Sequence, residues 1–166
     1  DSLNGFTDAI GKHKDMEWVH VRHEEAAAFA AGAEAHLTNR LAVCAGSCGP
    51  GNLHFINGLF DCYRSRVPVL AIASQIPSTE LGTTYFQETY PEQIFKDCSH
   101  YCGVISEPDQ MPRILAIAMR TAIAKRGVAV LVLPGNIANK DCPSPAAALG
   151  FLSNDSKLVP SDGDLT

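Results

Sequence analysis

The sequence predicts a doubly wound α/β domain: a mainly parallel sheet with helices on both faces. Two observations carry that prediction. The apolar runs at residues 41–45, 67–74 and 128–133 are unbroken rather than alternating, which marks strands covered on both faces. Between them lie stretches with helical period, such as Ile56, Leu59, Phe60 and Tyr63, or Met111, Ile114, Leu115 and Ala118. Strands that alternate with helices close into parallel sheets through right-handed crossovers.

Composition narrows the class further. A chain of 166 residues has room for one ordinary domain with its own core. It is 46% hydrophobic and 19% charged with a formal net charge of -5, so nothing in its charge suits a nucleic-acid partner. No apolar run reaches the ~18 residues of a membrane span, and no basic-then-apolar leader opens the chain. The six cysteines sit mostly in apolar segments and read as reduced, buried small hydrophobes of a cytosolic protein. Cys44 and Cys48, like Cys98 and Cys102, are spaced Cys-x-x-x-Cys rather than as zinc knuckles, and the histidines show no His-x-x-x-His pair, so no metal ligands are assigned.

In chain order, Asp1-Ser2 reads as an N-cap for a helix carrying Leu3, Phe6 and Ile10 and ending near Lys12. A helix is an unusual start for this fold, and it leads us to expect a first strand before Asp1 in a larger protein. Residues 17–21 read as a strand, followed by an alanine-rich helix over 22–38. Gly32 inside that helix costs about 1 kcal/mol against alanine, which either close contact with a neighbour's backbone or tight packing on the sheet would explain. After the strand at 41–45, glycines break the chain over 46–51 before a helix over 52–64. The strand at 67–74 gives way to a polar loop over 75–92, which nevertheless holds Tyr85-Phe86 in its middle; aromatics in a long loop need a reason. A strand over 99–106, a helix over 108–125 and the strand at 128–133 complete the pattern. From about residue 136 Pro143, Pro145 and Pro160 interrupt a polar stretch. The division expected is a domain over 1–138 and a linker over 139–166 leading toward a middle domain.

Three features converge on the C-terminal edge of the expected sheet, where open α/β sheets place ligands. They are Glu24, the glycine loop at 46–51, and Tyr85-Phe86-Gln87-Glu88. Glu25 is read as an acid complementing the helix macrodipole. The glycine loop lacks the spacings and the lysine of a phosphate cradle. Its Pro50 suits a first helical turn, and its glycines either admit a flat ligand to the backbone or simply make the turn. Gly46-Ser47-Cys48-Gly49 also resembles half of a nucleophile elbow, giving a rival reading as a cysteine amidotransferase or hydrolase with Cys48 as nucleophile. That reading meets Pro50 where the elbow wants glycine and finds only His100 near a strand end. A third reading is an interaction domain without chemistry.

Arg22-His23-Glu24-Glu25, Gly49-Pro50-Gly51-Asn52-Leu53-His54, Pro68-Val69-Leu70-Ala71-Ile72 and Tyr85-Phe86-Gln87-Glu88 resemble, in order and spacing, the pyrimidine-binding domain of thiamine diphosphate-dependent enzymes. The likeness spans about residues 1 to 138 and is nearest to bacterial pyruvate oxidase and pyruvate:quinone dehydrogenase. Acetolactate synthases resemble it less, commonly having Asn where His54 stands. The resemblance implies that Glu24 hydrogen-bonds a ring nitrogen of the aminopyrimidine and so helps deprotonate the thiazolium carbon. An apolar junction beside Val21 is expected to raise the pKa of Glu24 by desolvation. It implies further that Gly49, Pro50, Gly51 and His54 line the pyrimidine pocket, and that Phe86 and Gln87 reach toward the reacting carbon and the substrate. The implied reaction is oxidative decarboxylation of pyruvate, a 2-keto acid, with the electrons passed to a flavin. Mg²⁺ and FAD would be bound by other domains of the full-length enzyme. The implied setting is cytoplasmic or peripheral at the inner membrane, in a homo-oligomer, dimer or tetramer.

In such enzymes the diphosphate and Mg²⁺ are held by a Gly-Asp-Gly…Asn motif in another domain, and the site lies between subunits. No Gly-Asp-Gly occurs here; Asp162-Gly163-Asp164 has the wrong order. The chain is thus expected to be a fragment carrying half of an active site, with its first strand missing. Alone it is expected neither to turn over pyruvate nor to hold thiamine diphosphate tightly, and to self-associate through uncovered sheet surface.

Overall fold

The computed structural model describes residues 2–142 and 163. Its centre is a four-stranded sheet of order β1-β2-β4-β3, formed by β1 (Ala42–Gly46), β2 (Val69–Gln75), β3 (Tyr101–Val104) and β4 (Val128–Pro134). Every neighbouring pair is parallel, in a register that sets Cys44 beside Ala71 and Ala71 beside Val130. The two central strands are buried at every residue. Unbroken apolar runs produce that, because neither face of such a strand meets water.

Helices cover both faces, as the alternating pattern predicts. On one side α2 (Glu24–Thr38) and α3 (Pro50–Arg64) place Ala28, Ala31, Ala35, Phe55, Leu59 and Cys62 against Val69, Ala71 and Val130. On the other, α1 (Asn4–Lys12), α5 (Met111–Lys125) and the single turn α6 (Gly135–Ala138) bring Phe6, Ala118, Ala122 and Ile137 onto Leu70, Ile72 and Leu131. The alanines of α2 let it approach closely, and Gly32 completes the contact: a β-carbon there would lie 2.7 Å from the Cys62 sulfur. The neighbour that requires Gly32 is therefore α3, rather than the sheet.

Several expected boundaries move. Residues 17–21 form no strand. Their β-prone sequence is real, but a ladder needs a neighbour and no described residue pairs with them. Trp18 and Val19 accordingly remain 39% and 72% exposed. The second helix starts at Glu24 rather than residue 22, capped by the imidazole of His23, whose Nδ1 accepts the Glu25 N–H at 3.2 Å. The loop over 75–92 contains a 3-10 turn, Ser78–Glu80, and begins the short helix α4 (Pro91–Ile94). The start of the tail at 136 falls inside α6, because Ile137 still has core to cover. The N-cap expected at Asp1 and most of the linker lie outside the described residues. Cys44, Cys48, Cys62 and Cys98 are buried free thiols, whereas Cys142 is exposed.

Candidate active site

Glu24 is the first residue of α2, and its carboxyl turns toward the start of α3. There Gly49 takes φ +66, which glycine adopts without strain, and Pro50 opens the helix with the φ that a first turn requires. A β-carbon on Gly51 would stand 2.9 Å from Glu24 Oε1 and 2.7 Å from Ser47 Oγ; one on Gly46 would strike the Phe55 ring at 2.7 Å and lie 3.1 Å from Glu24 Cγ. The missing side chain at Gly51 makes room for the acid, and the one at Gly46 chiefly for the Phe55 ring. On its other side His54 Nδ1 lies 3.0 Å from Glu24 Oε2, and the His54 ring stacks on His23 at a centroid distance of 4.3 Å and 22° between planes. The Glu24 side chain keeps 27% of its exposure and His54 44%, so the pair sits in an opening rather than in the core.

The electrostatics correct one expectation. Burial pushes the Glu24 carboxyl up and is the largest single influence, as the apolar junction predicts. The hydrogen bond from His54, the residue's own backbone N–H and the nearby charge of His54 and His23 together outweigh it, and the carboxyl rests below its ordinary value. Sequence reasoning missed this because His54 is thirty residues away and its ring direction depends on how α3 crosses α2.

The loop after β2 meets the same region through Gln87. A β-carbon on Gly49 would lie 2.7 Å from Gln87 Cβ, and Gln87 itself holds φ +67. The Cys48 thiol donates to Gln87 Oε1 at 3.6 Å. Phe86 points differently: its side chain is 80% exposed. Glu24, Gly51 and His54 thus form one cluster and Gly49, Cys48 and Gln87 an adjoining one, while Phe86 is brought to neither. His23 and Ser47 were not singled out by sequence reasoning, nor was Asn52. Asn52 is fully buried on the first turn of α3, donates to the Ser74 carbonyl at 2.8 Å and leaves its Oδ1 without a partner. The signal for it was a polar residue directly after the glycine turn.

Among the described residues no histidine is hydrogen-bonded to the Cys48 sulfur, and His100 packs at a tilt against Tyr63 instead, 4.8 Å between centroids and 47° between planes. The base that a cysteine nucleophile needs is not in place. Among the described residues no group of three metal-ligating side chains converges.

The Glu24 carboxyl is thus held at one oxygen by His54, with its other oxygen against Gly51 and part of its side chain open to solvent. The chain matches the family described as thiamine pyrophosphate enzyme, N-terminal TPP binding domain, over residues 1–95. This chain belongs to that family, and its fold is that of the pyrimidine-binding domain. Among its relatives, an uncharacterized 42.6 kDa protein in the isoamylase 3'region of Pseudomonas amyloderamosa is 58% identical over 166 residues, which is 99% of this chain and 42% of that protein. A pyruvate oxidase of Lactiplantibacillus plantarum is 37% identical over 144 residues, 86% of this chain and 24% of its own. An acetolactate synthase of Arthrospira platensis is 38% identical over 120 residues, 72% of this chain and 21% of its own. The chain spans less than half the length of these curated relatives.

The cluster fits the pyrimidine half of thiamine diphosphate. Glycine at 51 lets the Glu24 carboxyl lie against the α3 backbone, where any β-carbon would displace it, and the donor set is one acid steadied by one imidazole at a solvent-reached edge.

Proposed function

We propose that this chain supplies the pyrimidine-binding half of the active site in a thiamine diphosphate-dependent enzyme that decarboxylates pyruvate oxidatively, of the pyruvate oxidase or pyruvate:quinone dehydrogenase type. The observation that carries the reading is the Glu24 carboxyl, held by His54 and lying against Gly51 at a solvent-reached edge. When bound, thiamine diphosphate supplies an electron sink for the carbanion left by carbon dioxide. The residues of this chain do the rest of what can be assigned to it. Glu24 shares a proton with a ring nitrogen of the aminopyrimidine; covering the carboxyl with a heterocycle removes its remaining water and shifts it upward, toward the range where such sharing works at neutral pH. Gly49, Pro50 and Gly51 present backbone to the ring, and Gln87 offers an amide to the substrate from beside Gly49. The diphosphate with its Mg²⁺ and the FAD belong to other domains of the full-length enzyme, which would work as a homo-oligomer.

Acetolactate synthesis, which joins two 2-keto acids instead of oxidising one, is the second reading, favoured by a relative of equal identity. Feeding pyruvate to the full-length protein carrying this chain separates the two. Reduction of a quinone or of oxygen in step with carbon dioxide release supports the oxidative reading. Acetolactate without net reduction of an acceptor overturns it.

A further inference from the structure

The residue that controls Glu24 is His54. Its Nδ1 lies 3.0 Å from Glu24 Oε2, so the proton on this ring sits at Nδ1 and is donated to the carboxylate. His23, stacked on it at 4.3 Å, is in the opposite arrangement: its Nδ1 accepts the Glu25 N–H that caps α2 and must be bare to do so. The Glu25 carboxylate lies 3.8 Å from that same nitrogen, too far for a hydrogen bond, so the cap decides the His23 tautomer. Of the two stacked rings, therefore, His54 donates toward Glu24, and His23, held by the cap, fixes the plane of its neighbour.

The groups that face this pair complete its surroundings. From α2 come Glu24 itself, the His23 cap and Glu25, whose carboxylate accepts a hydrogen bond from Asn57 Nδ2. From α3 come His54 and Asn57, and across the opening stand Ser47 and Gly51, which are uncharged. Among the described residues no lysine or arginine is ion-paired with Glu24, and His54 is the side-chain donor it has there.

We propose that His54 is a positioning residue for Glu24, anchoring Oε2 through Nδ1–H so that the carboxyl cannot turn and its Oε1 keeps its place against Gly51, from which it meets the incoming ring nitrogen. His54 then acts through the acid and need not touch the cofactor, a role distinct from lining the pocket. This rests on the reading of Glu24 given under Proposed function, but its geometric core does not need the cofactor. The side-chain amide of asparagine can place an N–H close to where Nδ1–H stands, whereas alanine offers none.

The test is a titration of the Glu24 carboxyl, followed by carbon-13 NMR in this chain and identified by its loss in Glu24→Gln. Expected is an ordered series in the midpoint: wild type lowest, His54→Asn higher, His54→Ala highest, because asparagine keeps the hydrogen bond without the charge. A purely structural role for His54 would move the melting temperature without ordering the carboxyl midpoints. In the full-length protein, thiamine diphosphate affinity should fall about tenfold or more in His54→Ala, as expected for losing a hydrogen bond to a charged group, and recover in His54→Asn. Equal carboxyl midpoints in wild type and His54→Ala overturn the positioning role. The ordered series together with a full-length protein that takes up no thiamine diphosphate upholds the positioning role and overturns the function proposed above.

Discussion

A β-carbon on Gly51 would stand 2.9 Å from Glu24 Oε1, closer than real β-carbons come to any atom. The glycine on α3 is therefore what lets the acid on α2 keep its place. Gly51→Ala should fold, because Glu24 is a side chain that can swing away, yet its carboxyl should leave His54. The check is cofactor binding by the full-length protein beside its melting curve: binding falls about tenfold or more, and the melting temperature moves little.

The same acid sets a pH dependence. Its folded-state pKa lies below the ordinary value, with desolvation opposing the shift and the His54 hydrogen bond and charge winning. A carboxyl depressed by folding contributes stability that is present above its unfolded pKa and lost as pH falls through the folded one. Wild type should therefore lose more stability than Glu24→Gln between neutral pH and the acid side of the carboxylate range. Denaturant midpoints across that range measure it; parallel curves for the two proteins would contradict the assignment. Solvent reaches this pair, so the effect is small.

Gly58 makes a second tight crossing of the same two helices. A β-carbon there would meet Ala28 Cβ at 2.6 Å and the Glu25 carbonyl at 3.1 Å, and backbone cannot move aside as a side chain can. Gly58→Ala should cost roughly 1–3 kcal/mol or more by overpacking, read as a lower denaturant midpoint. Because α2 carries Glu24 and α3 carries His54, the carboxyl titration should change with it.

The thiols offer a test of the packing. Burial pushes Cys62 and Cys98 up to about 11, and Cys102 up to about 12, and Cys48 is also buried. In the folded protein a thiol reagent at neutral pH should modify Cys142 promptly and the buried cysteines only on unfolding. Rapid modification of Cys62 in the native state would show that α2 and α3 are not packed as described.

How much of this was legible in the residues follows from what each element depends on. The central strands were readable because residues 69–73 and 128–133 need only be apolar throughout, and the helices because their period is local. The segment at 17–21 was misread because a strand is a relation between two chains of residues, and its sequence names only one of them. Glu24 could be placed by its junction and by the family motif, and Gly49, Pro50 and Gly51 by theirs. The His54 contact with Glu24 could not, since it depends on the crossing that Gly32 and Gly58 permit. The direction of the Glu24 shift failed for the same reason: desolvation can be guessed from neighbours in sequence, a hydrogen bond from another helix cannot. The motif names Gln87 and Phe86 but not their directions: neither the contact of Gln87 with Gly49 nor the exposure of Phe86 can be read from it.

Glu24 is the acid proposed to work on the cofactor. Its most direct measurement is thiamine diphosphate-dependent release of carbon dioxide from pyruvate by the full-length protein, wild type against Glu24→Gln, with melting curves recorded on both. A fall of about 10²–10⁴-fold in the variant, the size of a lost acid-base contribution, with its melting temperature close to that of wild type, is the result the account predicts. Turnover by Glu24→Gln at the wild-type rate would contradict it.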